Sequence, residues 1–265
     1  MIEGPDGKII TKNITASTKI LDLEGCNFCV IATKALSLEQ SIKNLKDQID
    51  LSVPVITIQN GLGAGDIALK HMSKNTIILG VAEGFGASLI APGHVTHTAN
   101  KKIRLGSISQ KQKARKFENL VSAWRSGGLK TEIYENIEQL IWEKLLCNVT
   151  LSGPCSIFGC NVKELLNDEE HWAFALSCMQ EAYSVGLAKG IPFSFKDPIE
   201  YVTDFAKRVG PAKPSMLQDF ETEKKTEIDF INGAIPPLAA KFKIPTPFND
   251  HVCKIIHYAE RQIKP

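Results

Sequence analysis

The first half of the chain alternates short apolar runs with amphipathic stretches. Runs rich in β-branched residues at 27–33, 53–58 and 76–82 predict strands, and apolar positions three and four apart predict helices over 36–48 and after Gly65. Strands that alternate with helices are typical of a parallel sheet with crossover helices.

Two further apolar runs follow Pro92-Gly93. The runs at 94–99 and 103–105 predict an antiparallel hairpin beside the parallel strands, with its turn at 100–102. The pattern therefore predicts an α/β unit with a mixed sheet.

From residue 135 onward the chain shows only helical periodicity. The predicted helices lie at 135–151, 161–190, 195–209, 214–232, 234–242 and 247–262. Glycine and proline separate them at 153–154, 190–192, 210–211 and 245–247. We therefore expect an α/β domain over 1–134, followed by an all-α domain over 135–265.

Composition and charge are those of an ordinary globular chain, and they exclude some classes of partner. Of 265 residues, 43% are hydrophobic and 23% are charged, which excludes a disordered or collagen-like chain. Lys plus Arg number 31 against 29 Asp plus Glu, and a net charge of +2 is too small to attract nucleic acid or an anionic membrane. No apolar run approaches the roughly 18 residues that cross a bilayer. Seven scattered cysteines, an odd number, favour a reducing cytoplasm.

A polar pair interrupts the most apolar predicted helix, 135–151. Lys144 and Asn148 lie one turn apart on the side of Ile141, and Ser152 extends the same line if the helix continues. An ammonium group on a buried face is costly unless it is paired, and a lysine so placed is a candidate proton donor. The alternative is a lysine whose long side chain reaches the surface.

A second candidate pair lies in the predicted helix 214–232. Its apolar stripe carries Glu227 three turns beyond Ser215, where a carboxylate could meet an inward lysine. The alternative makes Ser215 an N-cap, completed by Gln218 as a capping box, and makes Glu227 a surface carboxylate that faces Lys224.

Glycine-rich residues 59–65 follow a predicted strand and precede a predicted helix. Glycine lets a ligand approach the backbone there, and the Asn60 amide and the N–H groups of the helix start offer polar contacts. The glycines do not form the dinucleotide fingerprint Gly-x-Gly-x-x-Gly, so an ordinary turn is the alternative. Lys34 ends an earlier predicted strand, where its ammonium group could reach a phosphate or water.

No metal site is expected. Cys26 and Cys29 have a redox spacing but lack a second cysteine pair for zinc, and we expect buried thiols. His94 and His97 point to opposite faces of a predicted strand, so they cannot chelate one metal ion together.

Four motifs resemble the ketopantoate reductase family in their order and spacing. They are Ala-Thr-Lys-Ala at 32–35, Ile-Gln-Asn-Gly-Leu-Gly at 58–63, Trp-Glu-Lys-Leu-Leu-Cys-Asn at 142–148, and Ser-Met-Leu-Gln-Asp at 215–219 with Thr-Glu-Ile-Asp-Phe-Ile-Asn-Gly at 226–233. The resemblance spans nearly the whole chain. It implies a cytoplasmic 2-dehydropantoate 2-reductase of pantothenate and coenzyme A biosynthesis that uses NADP(H).

The resemblance also implies a fold and an assembly. It implies a Rossmann-like nucleotide-binding domain over 1–134. A helical substrate and dimerisation domain of the 6-phosphogluconate dehydrogenase C-terminal type would follow over 135–265, in a chain that forms a homodimer.

The resemblance further implies roles for individual residues. Lys144 resembles the family's general acid, which protonates the carbonyl oxygen as hydride arrives, and Glu227 resembles the glutamate near the cofactor ribose and the catalytic lysine. The implied substrate contacts are Asn60, Asn148, Ser152 and Ser215. The implied cofactor contacts are Lys34, Asn60, Ala87 and Glu227.

Two departures from the family pattern bear on these expectations. Ser152 stands where the family usually has a second substrate asparagine, and this shorter hydrogen-bonding group could shift the substrate preference or recruit a water. Residues 1–7 resemble a segment that the family reaches only after its first strand, glycine-rich loop, helix and second strand, so about one βαβ unit of roughly 30 to 40 residues is expected to be absent. That unit seats pyrophosphate and distinguishes NADPH from NADH, so its loss is expected to weaken cofactor binding and to expose strand edges.

These departures leave three hypotheses. The leading one is a reductase of ketopantoate or of a related small 2-keto acid. The rival is a non-catalytic truncated paralogue that acts as a binding or interaction protein. The third is that the functional protein begins upstream of Met1.

Overall fold

The structure is a computed structural model that describes residues 1–4, 7–11, 14–50, 52–74, 76–108 and 115–263. It divides into two compact units. Unit 1 comprises Met1–Gln59 and Ala64–Ile137, and unit 2 comprises Asn60–Gly63 and Glu138–Pro265. No helix in the described ranges combines the length and apolar character that a membrane span requires.

Unit 1 is built on one mixed sheet. Its described strands are β1 (Ile2–Gly4), β2 (Gly7–Ile9), β3 (Cys29–Ile31), β4 (Val55–Thr57), β5 (Ile77–Ala91), β6 (His94–Ser107) and β7 (Thr131–Ile133). They lie in the order β2-β1-β6-β5-β4-β3, with β7 also beside β6. Strands β3, β4 and β5 are parallel, β5 and β6 are antiparallel, and both β1 and β7 run parallel to β6. The predicted mixed sheet is confirmed.

Helices cover both faces of this sheet. They are α1 (Leu38–Lys46), α2 (Ala64–Leu69) and α3 (Arg115–Ser126). Because successive strand residues point to opposite faces, Val55 packs in one cluster with Ile42 of α1, whereas Ile56 packs in another with Leu120 of α3. These three layers give unit 1 its Rossmann-like architecture.

The hairpin is longer than predicted, and its turn lies elsewhere. Strands β5 and β6 meet at Pro92-Gly93, where Gly93 has a φ of +75° that glycine adopts without strain. The predicted turn at 100–102 lies inside β6, with Asn100 paired to Phe85 and Lys102 to Glu83. The prediction of two short strands was wrong because a polar stretch on an exposed hairpin was interpreted as a turn.

Unit 2 is helical. Its described helices are α4 (Ile137–Phe158), α5 (Val162–Asn167), α6 (Glu169–Lys189), α7 (Pro198–Val209), α8 (Ser215–Glu221), α9 (Ile235–Phe242) and α10 (Pro247–Glu260), joined in part by 3-10 turns at Ile228–Phe230 and Asn232–Ala234. Buried side chains of α4, α6 and α10, including Trp142, Met179 and Val252, form its main core. The predicted all-helical second half is confirmed.

Helix α4 continues through Gly153-Pro154, where the sequence predicted its end. Pro154 has no N–H to donate to the carbonyl of Thr150, but this part of the helix is buried and its packing outweighs the lost hydrogen bond. A Cβ on Gly153 would lie 2.5 Å from the Val252 side chain, so glycine lets α10 pack closely here. The neighbouring carbonyl of Val149 accepts a hydrogen bond of 3.1 Å from the Asn232 amide.

Two other predicted helices are broken. The helix over 161–190 is interrupted at Asp168, whose carboxylate accepts the His171 N–H at 2.9 Å and so caps α6. The helix over 214–232 ends at Glu221, and Glu223 then adopts a positive φ of 52°. Glu227 therefore lies outside the helix that was predicted to carry it.

Candidate active site

A half-buried polar stripe runs along one side of α4. Lys144 and Asn148 are half-buried in a helix whose other positions, such as Trp142 and Leu145, are mostly fully buried. Ser152, one turn further on, is 5% exposed. Because α4 continues without a break past Ser152, the three polar side chains lie on one face of the helix.

The Lys144 ammonium group is paired. Its Nζ donates a hydrogen bond of 2.8 Å to Oδ1 of Asn60, and both residues belong to unit 2. A hydrogen bond from a charged donor contributes about 1.5–3 kcal/mol when it is partly shielded from water. This contact fixes the ammonium group at the half-buried stripe, whereas the alternative interpretation placed it at the surface.

Two glycines shape the loop that carries Asn60. Gly61 and Gly63 have φ values of +82° and +96°, in the left-handed region. The Leu62 N–H donates to the Phe230 carbonyl at 2.8 Å, and a Cβ on Gly61 would overlap that carbonyl. Glycine is therefore required for the loop to approach the 3-10 turn Ile228–Phe230 closely enough to make this bond.

Glu227 immediately precedes the same 3-10 turn. It is 9% exposed, so the interpretation of Glu227 as a surface carboxylate facing Lys224 was wrong. Its carbonyl accepts the Phe230 N–H at 3.0 Å. We call residues 226–230 the Glu227 turn. One short turn thus carries Glu227 at its start and holds the Asn60 loop at its end.

Ser215 is the first residue of α8 and is exposed. The helix N-cap is Pro214, and no side chain caps the helix there, so the predicted capping box with Gln218 was wrong. The Gln218 side chain instead donates to the Lys213 carbonyl at 2.8 Å. The structure therefore places Ser215 as an exposed residue at the start of α8.

Lys34 belongs to unit 1 and is exposed just beyond β3. The Gln59 amide donates to the carbonyls of Ile31 and Thr33 at 2.8 and 2.9 Å, which ties the chain before Lys34 to the end of β4. Oε1 of Gln59 is buried and has no hydrogen-bond partner among the described residues. An acceptor is therefore free at the carboxyl end of the sheet.

Ala87 also belongs to unit 1. It is exposed at a register shift in β5, eight positions beyond Leu79 (79 to 87), which pairs with Thr57 at the end of β4. Eight strand residues span about 26 Å. The structure therefore places Ala87 on the outer part of the hairpin, beyond the end of β4.

Three polar residues near the candidate site make contacts that were not predicted from sequence. Gln59 lies inside the motif at 58–63, but its carbonyl partners are 26 and 28 residues away. Glu143 is 5% exposed and accepts hydrogen bonds from Gln139 and from the Ser194 N–H at 3.0 and 2.7 Å, so it anchors the chain at Ser194 to α4. Glu260 accepts from Thr226, 34 residues away, and no local signal marks it.

The thiols of unit 2 are not candidate nucleophiles. Burial raises the pKa of Cys147, which lies between Lys144 and Asn148, to about 12, and it raises the pKa of Cys253 to about 12. In unit 1, Cys26 and Cys29 are free and half-buried, not fully buried as expected, and burial raises the pKa of Cys29. No group of three or more His, Cys, Asp or Glu in the described part of the chain could hold a metal ion. The stripe on α4 thus offers a proton donor with amide and hydroxyl hydrogen-bonding groups.

Two family models and curated relatives match most of the chain. A sequence model described as "Ketopantoate reductase PanE/ApbA" matches residues 1–110, and one described as "Ketopantoate reductase PanE/ApbA C terminal" matches residues 136–260. The 2-dehydropantoate 2-reductase of Streptococcus pyogenes is 26% identical over 264 residues, which cover 96% of this chain and 85% of that protein.

Solved structures show the same fold. The 2-dehydropantoate 2-reductase of Geobacter metallireducens has a TM-score of 0.88 at 21% identity and covers 97% of this chain and 85% of its own. A D-mandelate dehydrogenase solved with NADH and anilino(oxo)acetate has a TM-score of 0.81 at 25% identity. The match covers 91% of this chain and 78% of that chain.

The Rossmann-like unit, the helical unit and these matches together define an oxidoreductase. The chain belongs to the ketopantoate reductase family. Membership favours the reductase hypothesis over a non-catalytic paralogue.

Proposed function

We propose that this chain reduces 2-dehydropantoate (ketopantoate) to pantoate with NADPH, as a step of pantothenate and coenzyme A biosynthesis. The observation that carries the proposal concerns Lys144, on the half-buried polar stripe of α4. Its ammonium group donates a hydrogen bond of 2.8 Å to Asn60. In this proposal unit 1 is the nucleotide-binding domain, and unit 2 is the substrate and dimerisation domain.

The residues present suit a nicotinamide dinucleotide. Lys34 offers an exposed cation for a phosphate, and the buried Gln59 Oε1, which has no partner in the described ranges, offers an acceptor for a ligand N–H or hydroxyl group. Asn60, Ala87 and Glu227 complete the proposed cofactor contacts. When bound, the reduced nicotinamide supplies a hydride to the keto carbon.

Lys144 acts as the general acid in this proposal. As negative charge develops on the keto oxygen, the Nζ of Lys144 transfers a proton to that oxygen, which leaves a neutral amine. Asn60 orients the ammonium group before the transfer and accepts its remaining N–H afterwards. We assign the buried carboxylate of Glu227, on the adjoining turn, to the position beside the catalytic lysine and the cofactor ribose that the family resemblance implies.

Amide and hydroxyl groups bind the substrate. Asn148 and Ser152 follow Lys144 at one-turn intervals on α4, and we assign them hydrogen bonds to the substrate carboxylate and hydroxyl groups. Ser215, exposed at the start of α8, is the further proposed contact.

A second candidate function is the reduction of a different small 2-keto acid. Ser152, which is 5% exposed, carries a shorter hydrogen-bonding side chain than the asparagine that the family resemblance implies at this position. The similar D-mandelate dehydrogenase was solved with NADH and anilino(oxo)acetate. The side chain at position 152 favours a different 2-keto acid as the alternative substrate, and the NADH bound to the similar dehydrogenase favours NADH as the alternative cofactor.

A two-by-two assay separates these candidates. Turnover is measured with NADPH or NADH and with ketopantoate or phenylglyoxylate, for the wild type and for Ser152→Asn. The proposal expects the highest kcat/KM with NADPH and ketopantoate, and a further gain for ketopantoate in Ser152→Asn. Higher kcat/KM with phenylglyoxylate in the wild type would establish the second candidate instead.

The proposal also includes a cytoplasmic homodimer. All seven cysteines are free thiols, which a reducing cytoplasm maintains. Light scattering should give twice the mass of the chain, and a mass equal to that of one chain would contradict the dimer.

A further inference from the structure

We infer that Glu260 is a positioning residue, whose carboxylate fixes the Glu227 turn and, through that turn, the loop that carries Asn60. The structural part of this inference stands on contacts within unit 2, and its catalytic consequence rests on the proposed function.

The first contact joins α10 to the start of the turn. Oε1 of Glu260 accepts hydrogen bonds from both the N–H and the hydroxyl group of Thr226, each at 2.7 Å. Thr226 is 2% exposed, so both bonds are shielded from water and assisted by the carboxylate charge. Thr226 is the residue immediately before Glu227.

The same hydroxyl group extends the contact along the turn. The Ile228 N–H donates to Oγ1 of Thr226 at 3.3 Å, so this oxygen donates to Glu260 and accepts from the residue after Glu227. Both neighbours of Glu227 are thus held by one hydroxyl group whose orientation Glu260 sets. The backbone on either side of Glu227 has little freedom to rotate while these bonds persist.

The far end of the turn reaches the Asn60 loop. The Phe230 carbonyl accepts the Leu62 N–H at 2.8 Å, and Gly61 packs against that carbonyl without room for a Cβ. Asn60 immediately precedes Gly61, and its Oδ1 accepts the hydrogen bond from the Lys144 ammonium group. A shift of the turn therefore moves the backbone to which the partner of Lys144 is attached.

A second link from α10 is weaker. His257 lies 2.8 Å from Asp229, but both side chains are exposed by 40% or more. Exposed pairs contribute little. Glu260 is therefore the contact expected to control the turn.

Hydrogen exchange tests the positioning directly and needs no activity. In Glu260→Ala, amide exchange in peptides that contain Leu62 and the Glu227 turn should rise about tenfold. Glu260→Gln keeps an acceptor oxygen at the same place and should stay within about threefold of the wild type. Arg261→Ala, which removes an exposed charge from the next residue, is the matched control and should change neither peptide. Unchanged exchange at Leu62 in Glu260→Ala would overturn the inference.

A double-mutant cycle tests the catalytic consequence. Glu260→Ala should lower kcat about tenfold, and Thr226→Val, which keeps the backbone bond, should lower it less. Once Glu227 is replaced in Glu227→Gln, adding Glu260→Ala should lower kcat by less than it does in the wild type, because only the effect through the Asn60 loop remains. Additive losses would show that Glu260 only stabilises the fold and would overturn its positioning role. A wild type without turnover would contradict the proposed function, and the exchange result would still decide the inference.

Discussion

At the scale of single residues, helical periodicity predicted part of the candidate site. The other residues could not be predicted, because their partners are far away in the sequence. The apolar pattern of α4 placed Lys144 and Asn148 on one face, because helical geometry is local. The partners of Gln59 and Glu260 lie 26 to 34 residues away, so only tertiary folding brings them together. Glu227 was predicted in the right segment but on a helix that ends six residues earlier, at Glu221.

The contact between Gly61 and Phe230 gives a residue-scale prediction. In Gly61→Ala the new Cβ overlaps the Phe230 carbonyl at a φ of +82°, so we expect a loss of about 2–4 kcal/mol in the free energy of unfolding. Gly190→Ala is the matched control, because Gly190 has a φ of +83° and nothing described lies within 4 Å of its Cβ position. Its loss should be about 1 kcal/mol. Equal losses in urea denaturation would show that the contact with Phe230 is unimportant.

Thiol reactivity gives a second prediction at this scale. Because burial holds the pKa of Cys147 near 12, its thiolate fraction at pH 8 is roughly a thousandfold below that of an ordinary thiol. Peptide mapping after treatment of the native protein with a thiol reagent should find Cys26 modified first and Cys147 unmodified until denaturant is added. Rapid labelling of Cys147 in the native protein would contradict its burial.

At the scale of elements, tertiary packing decided where helices end. Gly153-Pro154 is a strong local signal for a helix end, yet α4 passes through it, because packing against α10 stabilises a buried helix there. Conversely, an amphipathic pattern over 214–232 did not sustain one helix, because the Glu227 turn packs against a distant loop. The existence of the three parallel strands β3 to β5 was predicted correctly because their apolar runs are bounded by loops, although β5 continues past the predicted end at 82 to Ala91.

The strands β5, β6 and β7 carry a row of charges that gives an element-scale prediction. Hydrogen bonds from Lys102, and to a lesser degree from Arg104, lower the pKa of Glu132 in the folded protein. The carboxylate therefore stabilises the fold fully above its unfolded pKa of about 4.3. This stabilisation is lost as the pH falls through the lower pKa of the folded state. The Glu132 side chain is 48% exposed, so Glu132→Gln should lower the free energy of unfolding by less than about 1 kcal/mol at pH 7.

Hydrogen exchange of β6 peptides at pH 7 and pH 3 measures the stability that is lost in Glu132→Gln. Glu118→Gln on α3 is the control, since it removes the same charge from an exposed helix position. The difference between Glu132→Gln and the wild type should shrink on acidification. A difference that grows as the pH falls would have the wrong sign for a carboxylate with a lowered pKa.

At the scale of the whole molecule, the chain is an oxidoreductase of the ketopantoate reductase family with a Rossmann-like unit and a helical unit. The change from alternating to purely helical periodicity predicted both fold classes. The family resemblance supplied the proposed roles of Lys144 and Glu227, and the structure supplies the hydrogen bonds made by Asn60, Phe230 and Glu260. Those contacts depend on packing between distant segments, which no local pattern encodes.

The most direct test of the central claim is the steady-state kcat for ketopantoate reduction with NADPH by the wild type and by Lys144→Ala. Lys163→Ala, which removes an exposed lysine of α5, is the matched control. NADPH titration and circular dichroism establish that each variant is folded and binds cofactor. Loss of the general acid should lower kcat about 10²- to 10⁴-fold in Lys144→Ala and leave Lys163→Ala unchanged. A Lys144→Ala enzyme that retains kcat within about tenfold of the wild type would contradict the assignment of Lys144 as the proton donor.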